Sequence, residues 1–115
     1  MLQFGKIDGK ALKHLIDTKS VSSILDARNK QWDDKRRIPG GILLPFDSSS
    51  EDILQAVPDK SVLIVVYCGS QECPLGKKLV GRMLSDGYLH ILEYSGGIKE
   101  WADTLNFPIE KEEYL

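Results

Sequence analysis

The chain is poor in the features that mark specialised proteins. Its 115 residues include two cysteines, two histidines and two tryptophans. Two cysteines cannot make a disulfide scaffold. They also fall short of a four-thiolate metal site. Charge of one sign is scarce too: 15 Lys and Arg face 17 Asp and Glu, leaving a net charge of -2. That balance exerts no long-range pull on nucleic acid, though a local pocket can still hold a small anion. Long hydrophobic runs are missing. The longest, Val62–Cys68, has seven residues, against about twenty for a bilayer span. Met1–Lys10 has no apolar stretch of signal-peptide length. No segment repeats with a period of tens of residues. These absences lead us to expect a soluble cytoplasmic protein with reduced thiols, without nucleic-acid or membrane partners.

What is present is a globular composition. Hydrophobic residues make up 42% of the chain, too many for a disordered one. The length suits a single domain over 1–115, able to bury roughly two-thirds of its unfolded surface. Strand-like and helix-like segments alternate. Asp8 can cap a helix to Asp17 with Ala11, Leu12, Leu15 and Ile16 on one face. Ser22–Ala27 and Ile42–Leu44 read as short strands, with a helical turn around Trp32 between them. Ser49 or Ser50 caps a helix that buries Ile53, Leu54 and Val57. Val62–Tyr67 is β-branched and apolar throughout, as in a central parallel strand covered on both faces. Pro74 suits the first turn of a helix that runs to Ser85, ended by Asp86-Gly87. His90–Glu93 is another strand, Gly96-Gly97 a turn and Ile98–Leu105 a last helix. The charged end, Glu110–Leu115, is expected to fray. Such alternation predicts an α/β fold with a parallel sheet between helices. Ligands then bind beyond the carboxyl ends of the strands.

Cys68 lies at that edge, directly after the central strand. Most free cysteines are small buried hydrophobes, and that is the plain reading here. The strand-to-helix turn favours another. Turn N–H groups and a helix N-terminus lower a thiol pKa and favour the thiolate. Neither histidine is then needed as a base. His14 and His90 both lie on elements away from the turn.

Ser23-Ile-Leu-Asp-Ala-Arg28, Arg37-Ile-Pro-Gly-Gly41, Val65-Val-Tyr-Cys68 and Gly96-Gly-Ile-Lys-Glu-Trp101 together resemble the rhodanese-like sulfurtransferase domain, in that family's order and spacing. The resemblance extends over Phe4 to Glu110. It implies a three-layer fold, with a five-stranded parallel sheet flanked by helices on both faces. It also implies that Cys68 forms the persulfide. The active loop maps to Cys68, Gly69, Ser70, Gln71, Glu72 and Cys73. Six residues suit a single extra sulfur atom, whereas related phosphatases need Cys-x5-Arg. Here Pro74 takes the place of that arginine, so nothing in the loop clamps phosphate bidentately.

The implied reaction is covalent and ping-pong. The Cys68 thiolate takes a sulfur from a donor, and loop N–H groups stabilise the anionic persulfide. A thiol acceptor, or cyanide in an assay, then removes the sulfur. No metal or organic cofactor is required. The partners are a small-molecule or protein sulfur donor and a thiol acceptor. Thiosulfate-using relatives commonly carry a cation in the loop. This loop has Glu72 instead, whose charge repels a dianion. A persulfide donor is therefore expected to work better than thiosulfate. Glu72 can equally be a solvent-facing acid at the start of a helix.

Cys73 makes the loop similar to a Cys-x4-Cys subset. It can resolve the persulfide or form a reversible disulfide with Cys68. The simpler reading is a small side chain packed under the loop, because bridging needs Cα atoms within about 7 Å. Asp26 and Arg28 end the second strand. They can brace the loop, or Arg28 can supply the cation the loop lacks, or the two can form an ordinary ion pair. Arg36-Arg37 with Lys35 can attract an anionic donor, but the simpler reading of so short a basic run is a solvated face. Trp32 and Trp101 read as core or lid aromatics. Two rival functions remain beside the sulfurtransferase: a non-catalytic sulfur carrier, and a redox module that uses Cys68 and Cys73.

Overall fold

The computed structural model describes residues 4–111. Five short segments form one sheet. These are β1 (Phe4–Lys6), β2 (Ser23–Asp26), β4 (Gly41–Leu43), β5 (Leu63–Tyr67) and β6 (His90–Tyr94). Their order is β1-β6-β5-β2-β4, and every pairing is parallel. Side chains of a strand alternate between faces, so β5 feeds two cores. Ile64 and Val66 join one with Leu25, Ile53, Leu79, Val80 and Met83. Val65 and Tyr67 join the other with Leu12, Ile24, Ile38, Ile98 and Trp101. All four of these β5 side chains are fully buried. That is why this segment is apolar apart from the Tyr67 hydroxyl, which accepts from Ile38 N at 3.2 Å.

Helices cover both faces. Helix α1 (Gly9–Asp17) is capped by Asp8, whose carboxylate accepts from Ala11 N at 2.8 Å. Helix α2 (Ser50–Ala56) is capped by Ser49, which accepts from Asp52 N at 3.1 Å. Helix α3 (Leu75–Ser85) follows the Cys68 loop. Helix α4 (Gly97–Lys99) continues into a wide π-type turn over Glu100–Thr104. Leu105 N there bonds to Glu100 O at 2.8 Å, five residues back.

Four expectations need correction. Ala11 and Leu54 are exposed: each helix touches the sheet with a stripe narrower than its apolar pattern suggested. Pro74 is the N-cap of α3 rather than a first-turn residue. Asn29–Arg37 contains the anticipated turn, a 3-10 helix over Lys30–Trp32, but also a strand, β3 (Arg36–Arg37). The partner of β3 is β7 (Glu110–Lys111), antiparallel, at the end expected to fray. Glu110 Oε1 accepts from Gly40 N at 2.6 Å, a contact seventy residues apart in sequence that periodicity cannot reveal. The rest of that end, 112–115, and the first three residues lie outside the described residues.

One glycine positions the loop. Gly97 has φ +70°, and a Cβ there would lie 2.6 Å from Cys68 O and 2.7 Å from Gly69 C. Only a residue without a side chain fits. The closeness lets Ile98 N and Lys99 N bond to Cys68 O and Gly69 O at 3.0 and 2.9 Å. Gly97→Ala is expected to cost about 1–3 kcal/mol. Thermal unfolding should show Tm falling by roughly 4–8 °C per kcal/mol.

Candidate active site

Cys68 sits where β5 ends, 4% exposed. Its carbonyl and that of Gly69 are tied to α4. Peptide planarity then turns the N–H groups of Gly69 and Ser70 away from α4. The loop closes on itself through Cys73 N donating to Ser70 O at 3.1 Å. The Ser70 hydroxyl bonds to Glu72 Oε2 at 3.1 Å, and Gln71 and Glu72 face solvent. The Cα atoms of Cys68 and Cys73 are 6.3 Å apart and the sulfurs are bonded as a disulfide. The reading of Cys73 as a merely packed side chain is therefore replaced. A turn this tight brings both ends of the loop within bridging reach.

Two cavities open on the cysteine pair. One, about 390 Å³, is lined by Arg28, Trp32, Gly69, Ser70, Pro74 and Leu75 together with Cys68 and Cys73. Trp32 is 65% exposed at its rim, so it is not a core aromatic, whereas Trp101 is fully buried. The other cavity, about 160 Å³, lies between the loop, β6 and the start of α3. Besides the cysteines it is lined by Gln71, Lys6, Lys77, Glu93 and Ser95. The sequence reading missed Lys6, Lys77 and Glu93. The available signal was Glu93, an acid between Leu92 and Tyr94 near the carboxyl end of a parallel strand. It is 4% exposed, and its Oε1 has no hydrogen-bond partner. Its Oε2 and Cys68 Cβ both lie within 4 Å of the point where a Gly76 side chain would begin. The two histidines are exposed and line neither cavity.

Arg28 has its guanidinium taken up by acids. Its Nε and Nη2 donate to Asp26 at 2.8–3.1 Å, its Nη1 to Asp34 at 3.0 Å and its Nη2 also to Arg36 O at 2.9 Å. Its stem comes within 3.6 Å of where a Gly69 side chain would start. Arg28 thus touches the loop through methylenes while its charge is held by aspartates. Burial pulls its pKa down, but the Asp26 and Asp34 bonds and charges outweigh that and leave it raised. Arg37 is also buried and bonds to Asp33 at 2.6 and 2.9 Å. Arg36 reaches Asp34 and, across to the turn after α4, Asp103 at 2.9 Å. These arginines hold a network together rather than forming a solvated basic face.

The rhodanese-like domain family matches residues 8–104. This chain belongs to that family. A curated relative, thiosulfate sulfurtransferase PspE of Escherichia coli (strain K12), is 32% identical over 79 residues, 68% of this chain and 72% of that protein. Among solved structures, the BH2092 protein of Bacillus halodurans superposes with a TM-score of 0.81. It is 23% identical, covering 93% of this chain and 77% of that one. A rhodanese with anions from E. coli gives a TM-score of 0.59 at 30% identity, covering 78% of this chain and 98% of its own. The rhodanese-like fold matches the expected parallel sheet flanked by helices. The likeness supports a sulfurtransferase-type function in general terms. Among the described residues no helix is long and apolar enough to cross a membrane, and no three His, Cys, Asp or Glu side chains group to hold a metal.

Arg28→Lys keeps the charge but cannot reproduce the fork on Asp26. It should lower stability by about 2 kcal/mol in denaturant unfolding, less than outright loss of a buried partner. Acid should act on the same network through Asp34. Burial raises its pKa, but bonds from Arg36 and Arg28 outweigh that and hold it below 3.8. The Asp34 contribution is therefore complete above pH 3.8 and is lost as pH falls through the lowered value.

Proposed function

We propose that the protein is a sulfurtransferase in which Cys68 carries sulfane sulfur as a persulfide from a donor to a thiol acceptor. The observation that carries this reading is Cys68 itself, at the carboxyl edge of β5 between two cavities in a rhodanese-like domain. The N-terminus of the eleven-residue α3 begins beside it, which favours the thiolate. In the first half-reaction the thiolate attacks the outer sulfur of the donor, and the donor's remainder leaves with the bonding pair. Gly69 and Ser70 N–H groups then stabilise the terminal sulfur anion. In the second, the acceptor thiolate takes that sulfur and frees Cys68. No cofactor takes part. A reducing compartment keeps Cys68 available between turnovers, and we place the protein in the cytoplasm on that ground. Its partners are then the donor and acceptor, not nucleic acid or membrane.

Reduced Cys73→Ser protein treated with a donor should gain about 32 Da on Cys68, and Cys68→Ala protein should gain nothing. No gain on Cys68 would overturn the reading. The disulfide favours a second one for the same loop, a dithiol redox module. Mild peroxide alone should then remove about 2 Da from the reduced wild-type protein. Persulfide formation without turnover would instead indicate a carrier.

The relative's name makes thiosulfate a candidate donor here. Lys6 and Lys77 at the smaller cavity supply positive charge that the loop lacks. Glu72 opposes them from the loop, so persulfides remain the better donors in this reading. Glu72→Gln should raise kcat/KM for dianionic thiosulfate several-fold and change that for a low-molecular persulfide without other acidic groups, which carries less charge, much less. Steady-state assays with both donors check this.

A further inference from the structure

Cys73 and Glu93 are the two groups at the site that the transfer reaction leaves unused. Cys73 is bonded to Cys68. Glu93 is a buried carboxylate with an oxygen that lacks a partner, lining the cavity that both cysteines share. Burying such a group costs free energy unless something compensates it. No structural bond of that oxygen does so, and the cavity it lines leads to the sulfurs.

The disulfide restricts what Cys73 can do to a loaded Cys68. Attack on the outer sulfur of a Cys68 persulfide would only move that sulfur to Cys73. Attack on the inner sulfur, Cys68 Sγ, produces the bond seen here. We propose that Cys73 resolves the Cys68 persulfide in this second way and releases hydrosulfide, with Glu93 carrying the proton. The inference rests on the persulfide reading above.

The step balances without an outside oxidant. Glu93 accepts the proton of the Cys73 thiol, directly or through one water in the cavity. The Cys73 thiolate attacks Cys68 Sγ, and a Cys68–Cys73 bond forms. The bond from Sγ to the outer sulfur breaks, and its electron pair leaves with that sulfur. The two-electron oxidation of the cysteine pair is the reduction of sulfane sulfur to sulfide. Glu93 returns its proton to the departing sulfur, which leaves as hydrosulfide past Lys6 and Lys77. An external dithiol then reduces the disulfide by exchange and is itself oxidised. Together the cycle is a dithiol-driven reduction of sulfane sulfur to sulfide, an activity distinct from delivery to an acceptor.

The test is an anaerobic single turnover. Pre-reduced wild-type protein receives one equivalent of a low-molecular persulfide and no thiol beyond the single equivalent that loading itself releases. The expected result is release of about one equivalent of sulfide, with a mass loss of about 2 Da. Cys73→Ser protein should instead retain about 32 Da and release none. Wild-type protein that also keeps the added sulfur, without releasing sulfide, overturns the proposal while leaving the persulfide reading intact. Cys73→Ser protein that gains no sulfur defeats both, and the two failures are thus distinguishable. Release per loaded persulfide should fall at least about tenfold in Glu93→Gln and recover in part in Glu93→Asp. Normalising to loaded sulfur removes any general loss of folding. Wild-type release from the Gln variant would take Glu93 out of the step.

Discussion

The site depends on two hydrogen bonds. Ile98 N and Lys99 N hold the carbonyls of Cys68 and Gly69, and through them the direction in which the loop presents its own N–H groups. Those bonds need the backbone of α4 to approach closer than any side chain permits, which is the role of Gly97. The rest follows from this contact. The loop is pinned at its first two residues, so the next four can turn tightly enough to bring Cys73 back to Cys68. The same pinning sets Cys68 against the start of α3, where Gly76 leaves room for Glu93 and the Cys68 side chain to share one cavity.

Electrostatics are used differently on the two sides of the loop. On one side Arg28 and Arg37 are buried and matched by Asp26, Asp33 and Asp34. Such a cluster is costly to bury and costly to break, and it fixes the wall against which Gly69 rests. On the other side Lys6 and Lys77 are exposed and Glu93 is buried. Charge there faces the cavity instead of a structural partner. The first arrangement suits support, and the second suits chemistry.

Much of the fold could be read in the chain because its signals are local. The unbroken apolar run before Cys68, the Asp8 and Ser49 caps and the Asp86-Gly87 stop each act within a few residues. The position of Cys68 followed from the strand's place in a parallel sheet. What escaped depends on contacts distant in sequence. Arg28 reads as a candidate ligand for a donor until Asp34 and the Arg36 carbonyl are seen to occupy its donors. The pairing of Arg36–Arg37 with Glu110–Lys111 joins segments with no shared pattern. Glu93 looked like the polar end of a strand, because its position two residues short of the loop's level on β5 is set by register, Val66 opposite Glu93.

Cys68 forms part of the wall of both cavities. A nucleophile at the bottom of a single pocket works as a turnstile: what brings the sulfur must depart before what collects it can enter. A residue that walls two chambers offers two approaches where a single pocket offers one. The larger, Trp32-rimmed chamber and the smaller, lysine-bordered one differ in size and charge, so each can favour a different visitor.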